Sequence, residues 1–104
     1  MKIIEAGKED SLTLFLEGNF DETTSPEVEM KIDAIISENF NNIFLDLGKV
    51  KYISSAGIRV LLLAYKKSVK AGKKVSLVNI SGKAHEVLDM VGILPLFTEN
   101  KGHC

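Results

Sequence analysis

One segment constrains the fold of this chain more than any other. Ile43 to Leu47 reads as a strand, Gly48 to Ile53 as a short crossing, and Ser54-Ser55 stands at the mouth of a helix. Ile43, Leu45 and Leu47 alternate with period two, so they fall on one face of a strand. The run Val60-Leu61-Leu62-Leu63-Ala64 that follows is apolar over a wide arc. It predicts a well-buried helix over about 55–71, with Leu62 inside and Gly72 as a left-handed stop. A strand that feeds a helix, followed by another strand at 74–78, predicts a parallel pair joined by a right-handed crossover.

The remaining elements extend that unit. Lys2 to Glu5 and Leu12 to Leu16 form two short strand-like segments flanking Gly7-Lys8-Glu9-Asp10, which predicts a hairpin. Gly18-Asn19-Phe20-Asp21 ends the second strand. A helix over about 25–38 starts either with Ser25 as cap and Pro26 in the first position, or with Thr24 as cap and Glu27 closing a capping box. Val28, Ile32, Ile35 and Ile36 make its buried stripe. A third helix is expected after Ser81 as cap, with Ala84, Val87, Leu88 and Val91 at helical spacing and Gly92 ending it. Ile93-Leu94-Pro95-Leu96-Phe97 then packs down the C-terminal part of the chain, with room for one more short strand.

Alternation of strands with helices, opened by a hairpin, predicts an α/β fold. The expected architecture is a mixed open sheet of four to five strands with three to four helices. The 104 residues suit one domain over 1–104. A core of that size needs no disulfide or metal. Apolar residues make up 45% and charged residues 26% of the chain, within the range of globular proteins.

Charge and composition exclude several function classes. The net charge is −1, and no basic stripe marks a nucleic-acid binder. Lys66, Lys67, Lys70, Lys73 and Lys74 read as a solvated helix end, where cations also suit the dipole. No apolar run approaches the roughly 20 residues that span a bilayer, and no leader pattern is visible, so a cytoplasmic protein without membrane insertion is expected. The one cysteine, Cys104, next to His103, makes a poor metal site. No metal and no cofactor are expected.

Ligands of open α/β sheets gather beyond the carboxyl ends of the strands. Asp21 follows the second strand, Asp46 lies near the end of the third, and Ser54 and Ser55 open the next helix. Sequence order therefore predicts two carboxylates and two hydroxyls on one rim. Ser54 has the ordinary reading of a helix cap, which leaves Ser55 first in the helix with its hydroxyl toward solvent. Asp21 has that of a turn-forming acid, and Asp46 that of a partner for the crossing backbone. Gly57 leaves the rim bare, so another backbone or a nucleotide could come close. The N–H groups and dipole of a helix start favour an anion, so a phosphate carried by a serine there would act as a charge switch.

Catalysis is not expected. Ser55 has Gly57 but lacks the first glycine of a hydrolase elbow, where Ile53 stands. His85 falls off the apolar stripe of its helix and reads as solvated. Gly72-Lys73 and Gly82-Lys83 lack the rest of a phosphate-binding loop.

Several stretches resemble the STAS domain, found in sulphate transporters and anti-sigma-factor antagonists. Leu16-Glu17-Gly18-Asn19-Phe20-Asp21 is similar to its opening motif. Leu45 to Ile58, with Lys51-Tyr52-Ile53-Ser54-Ser55-Ala56-Gly57 at its centre, resembles its central motif. Ala71-Gly72-Lys73-Lys74-Val75 and Asp89-Met90-Val91-Gly92-Ile93 match later landmarks. The resemblance implies an anti-sigma-factor antagonist. Its unphosphorylated form would bind an anti-sigma factor that is also a serine kinase and so free a sigma factor. Phosphorylation would end the contact, and a serine phosphatase would reset it. The resemblance places the phosphoserine at Ser55 and a nearby acid at Asp21. It departs at Ser54, where the family commonly has aspartate. A non-phosphorylated STAS scaffold in a transport or sensory complex is the other reading it allows.

Overall fold

The computed structural model describes residues 1–80 and 82–97. Four strands form one sheet in the order β1-β2-β3-β4: Lys2–Lys8, Ser11–Phe20, Asn42–Ile53 and Lys74–Val78. Helices α1 (Ser25–Ile36), α2 (Ser55–Lys70) and α3 (Gly82–Met90) follow β2, β3 and β4 in turn. A short helical turn at 94–97 stands where the sequence left room for a fifth strand. The expected Ser81 cap lies outside the described residues, as do His103 and Cys104.

β1 and β2 pair antiparallel through a two-residue turn at Glu9-Asp10, with Lys8 opposite Ser11. β2–β3 and β3–β4 pair parallel. Two right-handed crossovers made in the same direction put both connecting helices on the same face. Leu12, Leu14 and Leu16 of β2 and Ile43, Leu45 and Leu47 of β3 point to that face. They meet Val28, Ile32 and Ile35 of α1, Val60, Leu61 and Ala64 of α2, and Ala84 and Leu88 of α3 in one core. Ile4 and Phe15, paired with each other, occupy the opposite face and are partly exposed. β1 pairs only with β2 among the described residues, and six of its seven residues are exposed.

The third strand departs most from expectation. It does not end at Leu47 but continues to Ile53. Its register against β2 slips between Phe15 and Glu17 and again between Gly18 and Asn19, and β3 gains one residue each time. Each extra residue turns the next side chain over. Leu47, Val50 and Ile53 are therefore buried at intervals of three, with Gly48, Lys49, Lys51 and Tyr52 exposed between them. A period-two reading cannot see a strand with that spacing.

The helices hold smaller differences. α1 carries Thr24 in the cap position, but no side-chain cap bond forms there. The cap position is thus the one expected for Thr24, without a capping box, and Ser25 is buried as the first helical residue rather than acting as the cap. Val28, Ile32 and Ile35 are buried as expected, while Ile36 is only half-buried. α2 leaves Leu62 only half-buried at the border of the core, while Gly57, Val60, Leu61, Ala64 and Ser68 are buried. α2 closes with two bonds, Lys73 N–H to Ser68 C=O at 2.8 Å and Gly72 N–H to Val69 C=O at 3.1 Å. Gly72 adopts φ +74°, the left-handed conformation that this closure needs. Beyond α3, Val91 is exposed rather than part of the buried stripe, because the helix ends at Met90.

Two of the clustered lysines are not merely solvated. Lys67 bonds Asp33 at 2.6 Å and lies near Glu29, which ties α2 to α1. Lys73 donates to the carbonyls of Ile36 and Glu38, the open acceptors past the end of α1.

Candidate functional site

The candidate site lies where β2 ends and α2 begins. Parallel pairing puts Phe20 opposite Ile53, so the last residues of β2 and β3 lie side by side. Ser54 continues that pairing by one bond, its N–H donating to Phe20 C=O at 2.9 Å.

Asp21, the residue after Phe20, shapes the turn into α1. Its Oδ1 accepts from the Thr23 N–H at 3.0 Å and the Thr23 hydroxyl at 2.7 Å. The Thr24 hydroxyl accepts from the Asp21 N–H at 2.9 Å and donates to Asn19 C=O at 2.8 Å. The Asp21 carboxyl pKa is held below its ordinary value, first by the Thr23 hydroxyl and then by the backbone N–H groups of Thr23 and Thr24. The acid therefore stays ionised on this rim. Thr23 and Thr24 were not singled out as site residues, though an Asp followed by two threonines is a recognisable side-chain turn.

The two serines have opposite environments. Ser54 is 7% exposed and caps α2, its Oγ accepting from the Ala56 N–H at 3.2 Å. Its extended backbone, φ −93° and ψ 178°, suits that position. Its carbonyl accepts the Ile58 N–H at 2.9 Å. Ser55 is the first helical residue and is exposed. No acidic residue occupies the first turn of α2. An anion on Ser55 would meet the positive end of the helix dipole and no opposing carboxylate from the same turn.

Gly57 is buried against its own chain. A Cβ there would lie 2.7 Å from the Phe20 carbonyl oxygen, 3.0 Å from Phe20 Cγ and 3.1 Å from Ile53 Cγ2. The backbone that comes close is thus that of β2, not that of a ligand.

Asp46 is not on this rim. β3 runs seven residues beyond it, roughly 20 Å of strand at about 3.3 Å per residue. Its Oδ1 accepts from the Gly48 N–H at 2.9 Å and its Oδ2 from Asn79 Nδ2 at 2.7 Å. The structure thus brings Asp21, Ser54, Ser55 and Gly57 together and leaves Asp46 apart, at the first irregularity of β3. That placement follows from the length of β3. Asn79 could not be linked to Asp46 from sequence, since nothing local joins residues so far apart.

Among the described residues no group of three or more side chains could hold a metal ion. Among those residues, too, no helix is long and apolar enough to cross a membrane. His85 is exposed on α3, as its helical position predicts.

Comparison with known proteins adds an independent line. The family model for the STAS domain matches residues 3–102. BtrV of Bordetella bronchiseptica, assigned to the anti-sigma factor antagonists, is 29% identical over 93% of this chain and 84% of its own. An anti-sigma F factor antagonist from Paenibacillus polymyxa is 31% identical over 83% of this chain and 77% of its own. The fold is similar to that of the anti-sigma factor antagonist SpoIIAA in its unphosphorylated form. The TM-score is 0.80 at 16% identity, covering 91% of this chain and 84% of that one. Against phosphorylated SpoIIAA from Bacillus it is 0.73 at 16% identity, covering 91% and 87%.

Proposed function

Since this chain belongs to the STAS domain family, we propose that it is an anti-sigma-factor antagonist whose contact with an anti-sigma factor is ended by phosphorylation of Ser55. The observation that carries the reading is the contrast between neighbouring hydroxyls. Ser54 is buried and engaged with the Ala56 N–H, while Ser55 is exposed at the first helical position. A kinase can reach one hydroxyl and not the other. The curated relatives named as antagonists support the same role.

The chain acts on this reading as a binding partner rather than as a catalyst. Its contact surface centres on Ser55, with the Asp21 carboxylate beside it. Ser54 and Gly57 support that surface from below, and Asp46 contributes through the order of β3. The anti-sigma factor doubles as the serine kinase, a phosphatase restores the free hydroxyl, and all three proteins work in the cytoplasm.

The charge change is sufficient for switching. Phosphorylation adds about −1.5 to −2 charges at neutral pH. The start of α2 accepts that charge, so the domain stays folded. Where the partner surface is acidic, like-charge juxtaposition costs several kcal/mol. A loss of about 3 kcal/mol weakens binding by roughly two orders of magnitude.

The test is incubation with the cognate anti-sigma kinase and ATP, followed by peptide mass spectrometry. One phosphate on Ser55 is expected, with anti-sigma binding lost in the modified form by titration calorimetry. A phosphate on Ser54, Thr23 or Thr24, or equal affinity of both forms, overturns the reading.

A further inference from the structure

The Phe20 carbonyl meets α2 twice. It accepts the Ser54 N–H at 2.9 Å, and it fills the space that a side chain at position 57 would need. A Cβ 2.7 Å from that oxygen is inside any ordinary contact. The obstacle is a strand carbonyl already committed to a hydrogen bond, so it cannot swing aside as a flexible side chain would. Phe20 itself is fully buried, and Ile53 closes the other side. The side-chain walls would need to give by only a few tenths of an ångström, so the backbone carbonyl is the obstacle that decides.

We propose that Gly57 is a positioning residue for the phosphorylation of Ser55, a role that rests on the reading of Ser55 as the modified serine. The missing side chain lets the first turn of α2 press onto the end of β2. That contact keeps the Ser54–Phe20 bond short and sets Ser55 at a fixed height beside the Asp21 turn. A methyl group at 57 lifts the helix start, stretches the bond and moves the Ser55 hydroxyl relative to Asp21. Gly57 touches neither kinase nor phosphate, since it is buried beneath the surface they would use. Misplacing a reacting group by about 1 Å can cost on the order of a hundredfold in rate.

The experiment compares the full chain with Gly57→Ala and with Ile35→Val, a core change at the far end of α1. Phosphorylation kinetics with the purified anti-sigma kinase and amide hydrogen exchange by NMR are measured on all three. For Gly57→Ala the expected result is a drop of roughly 10- to 100-fold in the phosphorylation rate, carried by kcat with KM little changed. Ser54 amide exchange should rise at least about tenfold more than that of Leu45, in the middle of β3. Ile35→Val should change neither ratio, even at a similar loss of melting temperature. Wild-type kcat and wild-type Ser54 protection in Gly57→Ala overturn the proposal, and so does an equal loss of kcat in Ile35→Val. If Gly57→Ala does not fold, exchange in the unmodified chain decides. A Ser54 amide as protected as Leu45 supports the contact, and an unprotected one overturns it. If the unmodified chain takes no phosphate on Ser55, the functional reading fails, while the exchange measurement still rules on the contact.

Discussion

Asp46 and Asn79, separated by 33 residues in sequence, are joined by a 2.7 Å hydrogen bond from the Asn79 amide to the Asp46 carboxylate. The other carboxylate oxygen holds the Gly48 N–H where β3 first slips in register. Asp46 thus links an irregular strand to the segment leaving β4. Asp46→Ala should destabilise the domain by about 0.5–1.5 kcal/mol, because it removes the acceptor from two exposed donors that water can then satisfy. Asn79→Ala also puts alanine at φ +55°, a left-handed backbone that asparagine tolerates better, so its cost includes that strain, and the double variant should cost less than the sum of both. Chemical denaturation of the four proteins measures the coupling.

The paired serines should separate stability from modification. Ser54→Ala removes a cap and should cost about 0.5–2 kcal/mol, yet still take a phosphate on Ser55. Ser55→Ala should melt like the unmodified chain and take none. Ser55→Asp should also melt close to it, since an anion at the helix start is tolerated, and should only partly weaken anti-sigma binding. Thermal melts with mass spectrometry and calorimetry check all three.

Core depth predicts a contrast between neighbours on α2. Leu61 is fully buried and Leu62 is half-exposed. Leu61→Ala should cost about 2–5 kcal/mol, and Leu62→Ala clearly less. A domain near 100 residues loses roughly 4–8 °C of melting temperature per kcal/mol, so the two variants should separate well in a melt.

The Asp21 turn should respond to acid. Its carboxyl pKa is depressed in the folded chain, chiefly by the Thr23 hydroxyl. The folded state therefore holds fewer protons on this group than the unfolded state does. The turn's contribution is in full force above about pH 5 and fades as pH falls through the depressed native value. Thr23→Val should move the Asp21 titration midpoint upward in a carboxyl NMR titration. An unmoved midpoint would show that the hydroxyl does not hold the acid.

Most of the architecture was legible because regular elements bury side chains at regular intervals. Val28, Ile32 and Ile35 on α1 and Leu12, Leu14 and Leu16 on β2 show the helical and strand periods without distortion. Gly72 and Ser54 are local signals for helix ends, and both stand where such signals predict. What stayed hidden was non-local. The continuation of β3 to Ile53 depends on bulges that only the pairing with β2 creates. That error put Asp46 on the wrong rim. The true neighbour of Gly57, the Phe20 carbonyl, is brought there by a crossover and not by any nearby residue. Leu62 looked fully buried because a continuous apolar run does not show which residues sit at the centre of a helix's inward face and which at its border.

β1, which pairs only with β2 among the described residues, carries its charges in mirror order, lysine at each end and Glu5 at the centre. A second copy approaching antiparallel about Glu5 would set Lys2 against Lys8 at both ends and, at the centre, two glutamates that are each already ion-paired with Lys31 of their own chain. Like charges directly opposite each other destabilise such a ladder. The lysines at the ends of β1 thus guard a strand that no second partner among the described residues covers, and disfavour stacking into fibres by self-pairing in that register.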